Sequence, residues 1–283
     1  MRNTAAPDAS LQVRQIVAAS GSSFVHGMRV LSGKRRAAIF AVYAFCRTVD
    51  DIADGPGDPG GKEARLRAWH DEIDAVFRGA PRTAIGTELA RAAERFALPR
   101  SEFERVLLGM EMDLVPMVAP DMAVLDRYVR CVAGAVGLLS MRIFGCWCGE
   151  PSHRFALSLA TAMQLTNILR DVEEDAALGR IYLPREVLAE ARVLPEPTAI
   201  AANPGLALAR RRLGAVARSA FASADAEARH HSRWRLLPAL LMMGPYERLL
   251  TSMEADWSRR PARRAGWRKL VDGARCAGRV ALP

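Results

Sequence analysis

The chain has 283 residues, half of them hydrophobic and a quarter charged, with 40 Lys and Arg against 31 Asp and Glu for a net charge of +9. That composition supports a sizeable core and excludes a largely disordered chain. The basic excess points to nucleic acid, an anionic membrane or a phosphorylated substrate, but no zinc-finger spacing, RNP-like strand or aromatic stacking set accompanies it, so nucleic acid is set aside.

In chain order, the N-terminal MRNTAAPDASLQVRQ lacks the apolar stretch of a signal peptide, and 1–15 is expected to be loosely ordered. Residues 34–54 hold neither Gly nor Pro and read as one helix. GPGDPGG at 55–61 is a loop. Helices are expected at 63–78, 84–96 and 101–115, the last with Ser101 as cap and Glu104 completing a capping box. Further helical patterns cover 123–144, 152–177, 184–191, 207–230 and 237–257. Pro245 should kink or restart the helix carrying Tyr246. The Arg-rich tail, 259–283, is expected to be loosely ordered. With no repeat and no Gly/Ser linker, the whole of 1–283 reads as a single all-α domain.

The uncharged run through 156–169 is shorter than the roughly 18 residues that suggest a membrane span. A cytoplasmic protein is expected. The basic runs at 210–212 and 259–264 read as solvated faces, and the second, beside Trp257 and Trp267, suggests peripheral contact with an anionic bilayer. Five cysteines without a CxxC pair read as free thiols; Cys146 and Cys148 have no partner pair or histidine near them in sequence.

Two stretches carry chemistry. In FAVYAFCRTVDDIADG, Tyr43, Arg47, Asp50 and Asp54 step by four, three and four and fall within roughly 60° of a helix face. Asp51 lies off that line. A DxxxD pair is usually a wet surface pair, but the turns before it are apolar all round, which marks a buried helix. Like charges four apart repel, more so where water is scarce. A divalent cation removes that cost, and oxygen-only ligands on a rigid helix suit Mg²⁺. The pattern recurs in AMQLTNILRDVEEDAALGRIYLP, where Gln164, Asn167, Asp171 and Asp175 form a second stripe after another apolar run. Glu173 and Glu174 read as solvated. If the helices face each other, the pairs are two jaws of one metal cage that clamps a diphosphate. Arg47 and Arg170 either help neutralise it or pair with their own Asp.

SSF at 22–24, YAFCRTVDDIAD at 43–54, YVRCVAGAVGLLSMRIFG at 128–145 and MQLTNILRDVEEDAALGRIYLP at 163–184 resemble, in order and spacing, the squalene/phytoene synthase family of head-to-head prenyl transferases. His26 and LSGKRR depart from the family's usual wording after SSF. The resemblance implies an isoprenoid synthase fold with a central cavity, Asp50, Asp54, Asp171 and Asp175 binding Mg²⁺–diphosphate, and Phe24, Tyr43, Arg47, Tyr128, Gln164 and Asn167 lining the site. Tyr246 is expected to join them, and Asp113 is a weaker candidate. Tyr43, Arg47, Tyr128 and Asn167 are the expected catalytic residues. The implied reaction ionises one allylic diphosphate and lets a second prenyl chain attack the cation in a dry pocket. The wording is most like the bacterial hopanoid-pathway branch that condenses two farnesyl diphosphates and stops at presqualene diphosphate. Downstream enzymes of that pathway would be partners. Phytoene or dehydrosqualene synthesis is the near alternative, and a non-catalytic binding or assembly protein is the alternative of another class.

Overall fold

A computed structural model describes residues 8–21, 24–262 and 265–279, apart from the side chains of Phe24 and His26. The order is α1 (Ala9–Ala19), α2 (Phe24–Arg29), α3 (Gly33–Asp54), α4 (Pro59–Phe77), α5 (Ala84–Phe96), α6 (Arg100–Met112), α7 (Met122–Val129), a π-helical turn (Arg130–Gly134), α8 (Ala135–Phe144), α9 (Glu150–Ala177), α10 (Arg185–Glu190), α11 (Leu206–Ala228), α12 (Arg233–Ala255) and α13 (Gly266–Arg279). Among the described residues the one β element is an isolated bridge between Val118 and Ile181. No described helix is long and apolar enough to cross a membrane. The buried apolar side chains form one core that draws on every long helix.

Local chemistry explains where the boundaries depart from expectation. Helix α4 starts at Pro59, inside the stretch read as loop, because the Asp58 carboxylate accepts the Gly61 N–H and Pro59 suits the first helical turn. Ser101 does not cap α6: the helix begins at Arg100 after Pro99, and Glu104 pairs with Arg100 at 2.7 Å. Helix α12 runs unbroken through Pro238 and Pro245. Pro245 cannot bond the Leu241 carbonyl, and α13 lies against it: a Cβ on Gly273 would lie 2.7 Å from the Leu241 oxygen. Both ends of the chain carry helix inside the segments expected to be loose, α1 at one end and α13 at the other. Glu173 is not simply solvated; it accepts from Arg210 at 2.6 Å, and Arg210 is buried.

Helix α3 is held on its buried side by an aromatic cluster. Phe45 packs edge-on to Trp69 of α4 at 5.4 Å and to Phe103 of α6 at 5.7 Å. This leaves the Tyr43–Arg47–Asp50 stripe on the opposite side. The next turn is fastened by Glu72, a buried carboxylate that accepts the Thr83 N–H and hydroxyl, each at 2.9 Å, and the Arg82 N–H at 3.0 Å. Glu72→Ala strips those donors of their acceptor and should cost about 2–4 kcal/mol, read by urea denaturation, with Glu72→Gln recovering part of it. A Glu72→Ala variant within 0.5 kcal/mol of wild type would contradict this assignment.

Candidate active site

A cavity of about 300 Å³ lies between α3, α8, α9 and α12, within the size range of small-molecule sites. Ile39 and Tyr43 face it from α3, Ala156, Ala160 and Met163 from α9, and Pro238 and Met242 from α12. The stretch read as one helix over 123–144 is interrupted by the π turn at Arg130–Gly134. That wider turn re-aims the chain. It is fixed by Arg130, which bonds both oxygens of buried Glu102 at 2.8 Å. Val132, Ala133, Val136 and Gly137 then line the cavity, whereas Gly134 and Ala135 are buried in the packing.

One end of the cavity carries Tyr43, Gln164 and Asn167; elsewhere its lining is apolar apart from Ser140, whose hydroxyl bonds the Val136 carbonyl at 2.7 Å. The same two stripes continue beyond it, on α3 to Arg47, Asp50 and Asp54 and on α9 to Asp171 and Asp175. The first residues of each stripe therefore line one cavity, and the carboxylates lie outside its lining. Burial, then the neighbouring Asp54, pushes the Asp50 carboxyl up to about 6. Burial, then Asp171, pushes Asp175 up to about 7. Arg47 pairs with Asp51 at 2.7 Å and lies 3.5 Å from Asp50. Arg170 forks onto its neighbour Asp171 through two bonds.

Between the stripes sits a cluster that the sequence reading weighted lightly. Asp113 is buried and accepts the hydroxyls of Tyr128 at 2.8 Å and Tyr182 at 2.7 Å, whose rings stack at 5.2 Å. Burial raises its pKa, and the two hydroxyls and Arg180 oppose that rise. Arg180 reaches Asp54 at 2.8 Å and the Asp113 carbonyl at 3.4 Å, and its own N–H bonds the Asp175 carbonyl at 2.9 Å. Asp113 also acts electrostatically on Asp50, Asp54 and Asp175. Arg180 and Tyr182 were missed as site residues, although GRIYLP stood directly after the second stripe.

Tyr128 and Tyr246 are not on the cavity wall. Tyr128 is turned onto Asp113, and Tyr246 bonds Asn167 and Arg170 from α12, with burial raising its pKa. The side chain of Phe24 lies outside the described residues. The fold also brings His231 within 3.4 Å of Cys148, a proximity that sequence spacing hides.

The residues fit a hard divalent cation. The donors are carboxylate oxygens, and the raised Asp50 and Asp175 are groups that a cation would hold ionised. The buried Asn167 Oδ1 has no hydrogen-bond partner; as an acceptor it suits a cation or a cation-bound water and not a phosphate oxygen. Among the described residues no three Asp, Glu, His or Cys side chains already gather closely enough to hold a metal ion; the pairs stand on separate helices, and Arg180 pairs with Asp54 at 2.8 Å.

A sequence model described as squalene/phytoene synthase matches residues 17–271. The chain is 42% identical to presqualene diphosphate synthase of Rhodopseudomonas palustris over 81% of each chain. It is 33% identical to phytoene synthase 2 of Solanum lycopersicum over 86% of this chain and 80% of that one. Among solved structures, the squalene synthase HpnC of Alicyclobacillus acidocaldarius superposes with a TM-score of 0.79 at 25% identity, over 87% of this chain and 93% of that one. With this match over most of its length and an all-helical fold, the chain belongs to the squalene/phytoene synthase family.

Proposed function

We propose that this chain, acting as one domain over 1–283, joins two molecules of farnesyl diphosphate head to head to give presqualene diphosphate. The observation that carries the reading is the placement of Asp50, Asp54, Asp171 and Asp175 beyond the polar end of one otherwise apolar cavity. The higher identity to a presqualene diphosphate synthase than to a phytoene synthase supports the shorter substrate.

Asp50, Asp54, Asp171 and Asp175 would hold Mg²⁺, which, when bound, supplies Lewis-acid neutralisation of a leaving diphosphate. Arg47 and Arg180 place fixed positive charge beside it. Tyr43, Gln164 and Asn167 orient the allylic end of the substrate where the cavity turns polar. Tyr246 holds Asn167 in place. Tyr128 acts from behind through Asp113. The apolar walls keep water from the allylic cation while the second chain's double bond attacks it, and loss of a proton closes the cyclopropane. Peripheral contact with an anionic membrane belongs to the same reading, because the prenyl chains are lipids. A downstream enzyme that consumes the cyclopropylcarbinyl diphosphate is the expected pathway partner.

Incubating the purified protein with Mg²⁺ and farnesyl diphosphate, without a reductant, should yield presqualene diphosphate. Phytoene from geranylgeranyl diphosphate in preference, or no turnover of either, would overturn the reading. A second expectation concerns the fold alone. Asp50 and Asp175 have folded pKa values above their unfolded value of 3.8, so the unfolded chain gives up these protons first. Without divalent cation, their ionisation lowers stability as pH rises from about 4 to about 7. Asp50 keeps 45% of its side chain exposed, so solvent screens part of the effect. Adding Mg²⁺ at pH 7.5 should raise Tm by several degrees, and much less at pH 4.5. An equal rise in Asp50→Asn/Asp175→Asn protein would count against these ligands.

A further inference from the structure

Helices α12 and α13 run parallel in a fixed register. Leu241 faces Gly273, Gly244 faces Cys276, and Glu247 pairs with Arg279 at 2.9 Å, an offset of 32 residues each time. Trp267 follows Trp234 by 33 residues, so the two stand at the same end of the pair. Both are open to solvent, 71% exposed at Trp234 and 64% at Trp267, and Leu270 and Val271 are exposed beside them. Each indole carries a guanidinium over its ring, Arg233 at 4.8 Å and Arg268 at 5.3 Å. Lys269 adds positive charge. Across 231–246 and 265–278 the one acidic residue is Asp272, which is buried.

This edge has a defined place relative to the cavity. Arg235 bonds the Gly145 carbonyl next to Phe144, and three turns later Tyr246 of the same helix bonds Asn167 and Arg170. Helix α12 therefore runs from the apolar end of the cavity, lined by Phe144, Phe155 and Pro238, to its polar end. Trp234 precedes Pro238 by one turn, at the end away from the carboxylates.

From this arrangement we infer that the first turns of α12 and α13 form a docking edge for an anionic lipid bilayer, set at the apolar end of the cavity. The inference rests on the proposed prenyl-lipid reading and adds the surface and its orientation. Indole rings suit the bilayer interface, with apolar bodies and polar edges. The unopposed cations complement anionic headgroups. Seated this way, the protein keeps its diphosphate site toward water and the prenyl end of the cavity toward the lipid.

The test is flotation of the full chain with phosphatidylglycerol or phosphatidylcholine vesicles at low and high salt, for the wild type, Trp234→Ser/Trp267→Ser and Arg233→Gln/Arg268→Gln. Wild type should bind the anionic vesicles about tenfold or more better than the zwitterionic ones, and less at high salt. Each double variant should lose about tenfold or more of that binding, with turnover of detergent-dispersed farnesyl diphosphate unchanged. Binding of wild type to neither vesicle, equal binding by the variants, or a dimer that Trp234→Ser/Trp267→Ser abolishes would overturn the docking edge. Loss of vesicle binding with turnover intact removes the edge alone. Vesicle binding that needs these side chains, in a protein without turnover, removes the proposed activity and leaves the edge standing.

Discussion

Asp50→Asn and Asp175→Asn each lower turnover by about 10²–10³-fold or more, with helical content unchanged by circular dichroism. Asn keeps the shape and one acceptor oxygen but removes the charge. In each pair the neighbouring carboxylate then loses its partner against a divalent cation, while the repulsion and burial that lift Asp50 to about 6 and Asp175 to about 7 disappear. The cation-free variants should therefore be no less stable than wild type while losing nearly all activity. Asp51→Asn is the contrast. Asp51 is 55% exposed and paired with Arg47, an exposed pair of small energetic value, so its loss should change kcat by less than about tenfold. Equal losses at Asp50 and Asp51 would contradict the division of labour on α3.

Asp113→Ala should be the most damaging change to the fold near the site. It removes the acceptor from the buried hydroxyls of Tyr128 and Tyr182 together. Each orphaned buried group costs about 1–3 kcal/mol, giving a loss of about 2–5 kcal/mol. Tyr128 and Tyr182 would then be free to shift, and Arg180 would lose an opposite charge beside it, so turnover should fall as well. Asp113→Asn keeps an acceptor oxygen and should recover most of the stability but less of the activity, because the charge facing Arg180 is gone. Denaturant midpoints and kcat measured on the same preparations separate the two effects. A stable, active Asp113→Ala protein would remove Asp113 from the account.

The stripes were legible because their information is local. Spacings of three and four put Tyr43 to Asp54 and Gln164 to Asp175 on single faces, and the apolar runs before them mark helices with little water around them. That α3 and α9 line one cavity needs long-range packing, yet the recurrence of the pattern pointed to it. The Asp113 cluster was not legible in the same way. It joins residues from the end of α6, from α7 and from the loop after α9, up to 69 positions apart, and no spacing rule connects them. The π turn was not read in YVRCVAGAVG, and the Glu102 that its Arg130 bonds lies 28 positions away. Helix α13 was hidden by its arginine content; what holds it is a backbone approach at Gly244 and Gly273 that composition does not reveal. Pro245 was read as a break by the rule for isolated helices, and the neighbouring α13 is what covers the carbonyl it leaves unbonded.

The central claim is that the two acidic stripes and the apolar cavity are one site. It is tested most directly by a crystal structure of the protein with Mn²⁺ and a non-ionisable thio-analogue of farnesyl diphosphate, the metal located by anomalous scattering. The account predicts manganese against Asp50, Asp54, Asp171 or Asp175, with the diphosphate beside them and the prenyl chain running past Tyr43 and Ala160 toward Phe155. Manganese bound elsewhere, or a prenyl chain outside the cavity while the carboxylates stay bare, would contradict it.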